Sequence, residues 1–520
     1  MRKRVVVVLL LILVTGAFLR LYRLGTVPGG FFRDEAWNGY KAYSLLKTGK
    51  DTRGNAFPLF FAQWGDISFS SPFVYASIPF IYLFGLNETA TRLPAALFGL
   101  LTVGMLYLCV KEFFGRDRAL AASFLLAVSP WHIQFSRLAF RAITFPFFFL
   151  LAVCLLKKGL RRKGWLPVGF AVLGATIYTY SSAMVFIPLF CAVYLLVYRR
   201  TLFCRQTAVV TVLSLLLFLI IVYPATLHSR TWEGQQYFRG TTYVGDKLRV
   251  GDLKDFFLRY IGYFSPAYLA GSGPEEIPWP SPWKFGLVYF FEYPLILLGL
   301  YVFMSRRTRD RWLFIGWLFL YPFSVSLTDA YFHSLRTFIA APLWPVLGAE
   351  GLCRVVEFVR RRRRWWLVAG YSFAAAALLN IALFVHAFFT GYSAKSSAAL
   401  QYGYREAIGY IESIRKPEDV VKVHSDLVLS YIFVIFYTEF DPDYFHKASF
   451  RLSTRRSGCY SAYGNIGPYY FSTDDLDWEN PTGKIYYLSR PSRRKDGWRK
   501  LKTITDPSGA AQLQIWELRK

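Results

Sequence analysis

Arg2-Lys3-Arg4-Val5-Val6-Val7-Val8-Leu9-Leu10-Leu11-Ile12-Leu13-Val14-Thr15-Gly16-Ala17-Phe18-Leu19-Arg20-Leu21-Tyr22 opens with three cations and continues as an apolar run over 5–22. A helix needs about 20 residues to cross the roughly 30 Å of bilayer hydrocarbon, so this run reads as a membrane span. A basic start before an apolar middle also suits a signal peptide. No small-residue cleavage site follows it, and the span is expected to be retained.

The rest of the 520 residues repeat the pattern. The chain is 54% hydrophobic, 19% aromatic and 18% charged, with a mean hydropathy of +0.30. A soluble domain carries about 25% charged residues. Ten further apolar runs fall at about 92–110, 118–133, 141–156, 165–180, 183–198, 207–224, 284–304, 311–328, 336–353 and 365–388. Four of them are short, and Pro146 and Pro188 interrupt two. The fold class is therefore a polytopic α-helical membrane protein of about eleven spans.

Lys+Arg number 61 against 33 Asp+Glu, a net charge of +28. A nucleic-acid partner would need those cations clustered on a polar domain. Here they form short runs between apolar stretches, so no nucleic acid is expected. Cytoplasmic loops collect Lys and Arg, and 24 of the 61 fall in alternate loops if the N-terminus lies inside. These are Arg2–Arg4, Lys111–Arg118, Lys157–Lys163, Arg199–Arg205, Arg306–Arg311 and Arg354–Arg364. The expected location is a cell membrane, crossed many times, with a cytoplasmic N-terminus. Loops 23–91 and 225–283 then face outward from a membrane module over 1–388, and the tail 389–520 is extracytoplasmic.

The tail reads as a small α/β domain. Residues 403–414 have helical spacing, Val420–Val423 and Ile485–Leu488 read as strands, and Gln512–Leu518 alternates with period two. Of the six cysteines, Cys459 is the one in this tail, and no CxxC spacing occurs, so structural zinc is not expected.

Chemistry-bearing residues gather at the outer ends of the spans. Asp34-Glu35 lies a dozen residues past the first span, in Phe31-Phe32-Arg33-Asp34-Glu35-Ala36-Trp37-Asn38-Gly39-Tyr40. A partly desolvated carboxylate there suits a general base for an acceptor hydroxyl or amine. Equally, Asp34 could cap a helix over 35–47 by accepting the Trp37 N–H. Tyr40 is a candidate substrate contact on the same stretch. Asp66 stands in Gln63-Trp64-Gly65-Asp66-Ile67 and reads as a sugar or metal contact or as a solvated loop residue. Asn87-Glu88-Thr89 fits a glycosylation sequon, without a sign of a eukaryotic secretory host.

Arg137 and Arg141 sit on the side of the membrane where cations are disfavoured. Four residues apart on a helix, they would share a face and suit a phosphate, or they could snorkel towards headgroups. His333 and Arg336 repeat the theme. Rings at Trp232, Tyr237, Tyr243, Tyr260, Tyr263, Trp279 and Trp283 in the loop 225–283 could stack on sugars or form an interfacial belt.

This constellation resembles the lipid-dependent glycosyltransferases of the GT-C fold. Within them it resembles the protein mannosyltransferase-like family (glycosyltransferase family 39 and kin, including the aminoarabinose transferases). Three stretches carry the likeness: Asp34-Glu35, the segment Phe84–Leu97 leading into the second span, and Ser129-Pro130-Trp131-His132 through Arg141. The resemblance implies an inverting enzyme that takes a hexosyl- or pentosyl-type sugar from a polyprenyl-phosphate donor at the outer face, with Asp34 as the catalytic carboxylate. The acceptor would be a lipid, a glycan or a protein, and membrane lipids would surround the chain. Many relatives carry His-Pro-Pro or Lys-Pro-Pro where this chain has Ser70-Ser71-Pro72, which puts a donor or metal contact there in question. No cofactor is implied as required, and a divalent metal finds no evident ligand set.

The alternative from another class is a transporter or flippase of a lipid-linked saccharide. Such a protein should place charge or broken helices at mid-membrane and show related halves. Here the mid-span positions are nearly uncharged and the ionisable groups collect at one face. A receptor reading through the C-terminal domain leaves Asp34 and the outer arginines unexplained.

Overall fold

The computed structural model describes the chain apart from residues 1, 63–67, 243–249, 272–284, 306–307, 330–331, 362–363, 425, 428, 446–450, 455–459, 473–482, 493–496 and 519–520. A helix lies in each of the eleven apolar stretches. Among the described residues, seven helices are long and apolar enough to cross a membrane: Lys3–Leu21, Glu88–Phe114, Arg141–Gly159, Ala183–Leu202, Ala208–His228, Phe338–Arg360 and Trp365–Thr390. The others are shorter, at Arg116–Val128, Trp165–Tyr178, Glu292–Ser305 and Asp310–Leu320. Arg116–Val128 ends at Ser129, and Pro130 starts a separate short helix, Pro130–Phe135. A proline has no N–H to continue the preceding helix, so the expected span 118–133 is broken near its outer end.

The chain forms two compact units, one of residues 1–22 and 95–388, the other of residues 23–94 and 389–520. The first unit is the helical membrane body. Its helices Glu292–Ser305 and Leu343–Arg360 cross where Gly299 faces the Leu347 carbonyl and Gly351 faces the Leu295 carbonyl. A Cβ at either position would collide with backbone, and small residues permit such close crossings in membranes. Helix Arg364–Thr390 shows Val368, Tyr371, Leu378, Leu379 and Leu383 on its surface. Apolar surface of that kind fits lipid contact.

In the second unit the first outer segment belongs with the C-terminal domain, whereas the sequence reading assigns it to the membrane module. A shared core is the reason. Phe31, Ala36, Trp37 and Tyr40 of the segment pack with Tyr431, Ile432, Phe433 and Phe436 of the tail. Strands β1 (Phe60–Ala62) and β2 (Ser68–Ser70) form a hairpin in the outer segment. The tail supplies β3 (Val420–His424), β4 (Arg451–Thr454), β5 (Tyr460–Ile466), β6 (Tyr469–Ser472), β7 (Ile485–Ser489), β8 (Trp498–Thr505) and β9 (Ala511–Leu518). Their order is β4-β5-β6-β3-β7-β9-β8, with β3 parallel to β6 and β7 and every other pair antiparallel. The three tail strands and the helix expected from sequence all form, the helix as Tyr404–Ile414 with Ala407, Ile408 and Ile411 buried.

Candidate active site

Helix Arg33–Thr48 carries the acidic pair. Its N-cap is Phe32, so Asp34 stands one step inside the helix and does not cap it as one sequence reading had it. The capping carboxylate is Glu35, whose Oε1 accepts the Phe32 N–H at 3.1 Å. Gly49 ends the helix with φ +69°, its N–H returning to the Leu45 carbonyl at 2.9 Å. Two acids in the first turn also complement the helix dipole.

Glu35 and Arg92 form an ion pair in which both side chains are 0% exposed. Arg92 donates from Nε to Glu35 Oε2 at 2.8 Å and from Nη2 to Oε1 at 2.9 Å. Its remaining N–H groups reach the carbonyls of Leu24 (3.3 Å), Pro28 (3.2 Å) and Gly30 (2.7 Å). All five guanidinium donors are thereby used. Glu35, expected to be catalytic, is thus a structural carboxylate that fixes the loop 24–30 and the start of the helix. Asp34, one position earlier in the same turn, is half-buried.

Tyr40, expected to meet substrate, is a core residue instead. It is fully buried, its hydroxyl donates to the Phe440 carbonyl at 2.8 Å, and its ring packs edge-on against Phe445. Burial first, then Tyr43 and Asp441, holds its hydroxyl above the usual tyrosine range. Gly39 beside it is required by packing, since a Cβ there would come within 2.8 Å of the Phe436 ring. Asn87 is a helix cap, accepting the Ala90 N–H at 2.9 Å. Ser71 precedes helix Pro72–Phe84, with Pro72 at its first position. Asp66 lies outside the described residues, as do Tyr243, Trp279 and Trp283.

The other candidates belong to the membrane unit. Arg137 is fully buried and donates to the carbonyls of Leu19 (2.9 Å) and Tyr22 (2.7 Å). Both carbonyls lie at the C-terminal end of the first span, which has no further turn to satisfy them. Arg137 was expected to hold phosphate; the structure commits its guanidinium to closing a helix end. Arg20 does the same for helix Arg116–Val128, reaching the Ala127 and Leu126 carbonyls at 2.9 and 3.2 Å and His132 Nδ1 at 2.8 Å. The two arginines cap each other's neighbourhoods.

Arg141, half-buried, donates from Nη2 to Ser181 Oγ at 2.7 Å and lies 5.1 Å over the Tyr180 ring. The adjacent Ser182 donates to the Arg336 carbonyl at 3.3 Å. The turn Tyr180–Ser182 therefore joins Arg141 to the segment His333–Arg336. Behind that segment the Tyr263 hydroxyl accepts the His333 N–H at 3.2 Å, and Tyr268 pairs with Thr337 at 2.6 Å. Trp131 Nε1 donates to the Ser334 carbonyl at 3.2 Å, docking the 129–141 segment on the same place.

Burial, then the charge of Arg336, holds His333 well below its usual range, at about 3. The folded protein keeps it neutral, while the unfolded chain protonates it near pH 6.5. The unfolded state then binds more protons below pH 6.5, so stability falls as pH drops from there towards 3. Melting temperature in detergent should decline from pH 7 to pH 5, and His333→Gln should flatten that slope. An unchanged slope in the variant would show that His333 is not the titrating group.

Sequence reasoning missed Arg20, Arg92, Ser181 and the capping role of Glu35. The signal that flagged Arg137 and Arg141, cations on the disfavoured side, was equally present at Arg20 and Arg92. Among the described residues, no group of three His, Cys, Asp or Glu side chains converges as a metal site.

Residues 71–228 match the family model of the dolichyl-phosphate-mannose-protein mannosyltransferases. YkcB of Bacillus subtilis (strain 168), named as a mannosyltransferase, is 30% identical over 223 residues, 42% of this chain and 30% of YkcB. YycA of the same organism, named likewise, is 29% identical over 205 residues, 38% of this chain and 29% of YycA. The chain thus spans less than a third of the length of these curated relatives. Among solved structures, apo ArnT from Cupriavidus metallidurans superposes with a TM-score of 0.58 at 15% identity, covering 98% of this chain and 97% of ArnT. The Archaeoglobus fulgidus oligosaccharyltransferase, in complex with Zn and sulfate, gives 0.52 at 16% identity, over 83% of this chain and 61% of that one. The chain has the fold of the GT-C glycosyltransferases, and within it residues 71–228 match the dolichyl-phosphate-mannose-protein mannosyltransferase family.

Proposed function

We propose that the chain is an inverting glycosyltransferase that moves a hexosyl or pentosyl group from a polyprenyl-phosphate donor to an acceptor at the extracytoplasmic face of a cell membrane. The observation that carries this reading is Asp34. It stands in the first turn of helix Arg33–Thr48, whose start is held by the buried Glu35–Arg92 pair. Support for the donor comes from ArnT of Cupriavidus metallidurans, whose structure has been solved with undecaprenyl phosphate bound, at a TM-score of 0.57 to this chain. YkcB, YycA and the Archaeoglobus protein are named as transferases, which favours transfer over transport of a lipid-linked saccharide.

In this reading an acceptor hydroxyl attacks the anomeric carbon while Asp34 takes its proton. The bond from that carbon to the phosphate oxygen breaks, and its electron pair leaves with the polyprenyl phosphate. The leaving group gains one negative charge, which Arg141 and Arg336 compensate. Arg137 has the different task of closing a helix end. Arg141→Ala should therefore weaken donor binding about tenfold, with Lys restoring it only in part because the guanidinium fork is lost. Arg137→Ala should instead lower the melting temperature. Titration of purified variants with a polyprenyl-phosphate sugar checks both, and wild-type affinity in Arg141→Ala would remove it from the donor site.

The orientation follows from the alternating basic loops. Reporter fusions after Lys163, Arg205 and Arg311 should score cytoplasmic and one near Tyr404 external. A cytoplasmic Tyr404 would put Asp34 and the donor on opposite sides. Incubating the purified protein with a panel of polyprenyl-phosphate sugars and measuring sugar release tests the function as a whole.

A further inference from the structure

The extramembrane unit contains a cavity of about 960 Å³, and all of its lining residues belong to that unit. This volume lies within the range of small-ligand sites. Two half-buried tyrosines, Tyr402 and Tyr410, line it together with Gly409. Gly409 sits in the middle of helix Tyr404–Ile414, yet a Cβ there would meet nothing within 4 Å. A glycine weakens a helix interior relative to alanine. Here neither backbone conformation nor packing calls for one, so the bare backbone is open to a ligand coming close.

Four of the five charged residues in the lining are paired, and the fifth, Arg23, is exposed. Arg405 meets Glu88 at 3.8 Å, where the Tyr437 hydroxyl also donates at 2.6 Å, and Lys502 meets Glu406 at 3.0 Å while lying 4.8 Å over the Tyr410 ring. Paired carboxylates and cations of this kind suit a polyol, whose hydroxyls both donate and accept. Sugar rings stack on exposed aromatic faces.

The cavity is also tied to Asp34. Gln401 lines it with a left-handed φ of +54°, and its Oε1 accepts the backbone N–H of Arg33 at 3.0 Å, next to Asp34 in the chain. Left-handed non-glycine residues persist where surrounding structure holds them, often at ligand sites. Phe31, three residues before Asp34 in the chain, lines the same space. We infer that this cavity is the acceptor subsite and takes a saccharide chain, its sugar faces against Tyr402 and Tyr410 and its edge along Gly409. The role as acceptor subsite rests on the transferase reading above.

The test uses the full chain in lipid nanodiscs, with mannotriose, maltotriose and chitotriose as probes and saturation-transfer NMR as the readout. At least one trisaccharide should bind the wild type. Gly409→Leu, which fills open space, and Tyr410→Ala should each weaken that binding about tenfold or more, with the Gly409→Leu melting temperature unchanged. The inference is overturned if none of the three binds, or if Gly409→Leu and Tyr410→Ala bind normally. It is also overturned if Gly409→Leu lowers only the anionic phospholipid that copurifies, which would make the cavity a headgroup site. Failure of the transferase reading looks different: trisaccharide binding persists, no polyprenyl-phosphate sugar is cleaved, and the acceptor role is withdrawn.

Discussion

Asp34→Asn should insert, fold and bind donor like the wild type, yet turn over roughly 10²–10⁴-fold more slowly, the usual cost of losing a positioned general base. The substitution keeps size and hydrogen-bonding capacity and removes the charge that accepts the proton. Folding should survive, because the helix start is held by Glu35 and Arg92 rather than by Asp34. At most the variant forfeits a helix-dipole interaction of about 0.3–1 kcal/mol. Glu35→Gln is the informative contrast. It should lose activity through instability, with a lower melting temperature, whereas Asp34→Asn should melt normally. Assays of turnover and melting on the same preparations separate the two, and near wild-type turnover in Asp34→Asn would place the base elsewhere.

Arg92→Ala should be the most destabilising single change in the extramembrane unit. It strands the Glu35 carboxylate in a fully buried site and releases the carbonyls of Leu24, Pro28 and Gly30. Removing one partner of a buried pair costs about 3–5 kcal/mol. For a unit of this size that corresponds to a melting temperature lower by roughly 6–20 °C. Arg92→Lys should recover little, since a single ammonium cannot make five bonds in a fixed fork. Replacing both partners together with Arg92→Met and Glu35→Met should cost less than Arg92→Ala alone, because no charge is then left unpaired. If Arg92→Ala melted within about 2 °C of wild type, roughly what 1 kcal/mol or less would produce, the clamp would not be holding the helix start.

The spans were legible because hydrocarbon thickness sets a length that an apolar run either meets or does not, and the run over 5–22 meets it. Strands at Val420, Ile485 and Gln512 were legible because their alternation is local. The unit boundary was not. Trp37 and Phe436 share a core while lying four hundred residues apart, and no periodicity records such a contact. The outer arginines show a subtler limit. A cation on the disfavoured side of a membrane announces that something compensates it, but phosphate and a helix-end carbonyl compensate it equally well. Arg141 keeps a half-buried guanidinium beside Ser181, whereas Arg137 spends its own on Leu19 and Tyr22, and only the fold distinguishes them. Glu35 shows the same limit. Its partner, Arg92, is 57 residues away, so nothing local to Asp34-Glu35 records that Glu35 is held in a buried ion pair.

The central claim is that this chain breaks the bond between a sugar and a polyprenyl phosphate, with inversion, using Asp34. The most direct measurement follows phosphorus and the anomeric centre together by NMR in proteoliposomes containing a polyprenyl-phosphate sugar and a saccharide acceptor. The account predicts that the phosphodiester signal converts to a monoester, that the product sugar has the opposite anomeric configuration to the donor, and that Asp34→Asn slows both changes alike. A phosphodiester that persists with every hexose and pentose donor offered, or a product of retained configuration, would contradict it.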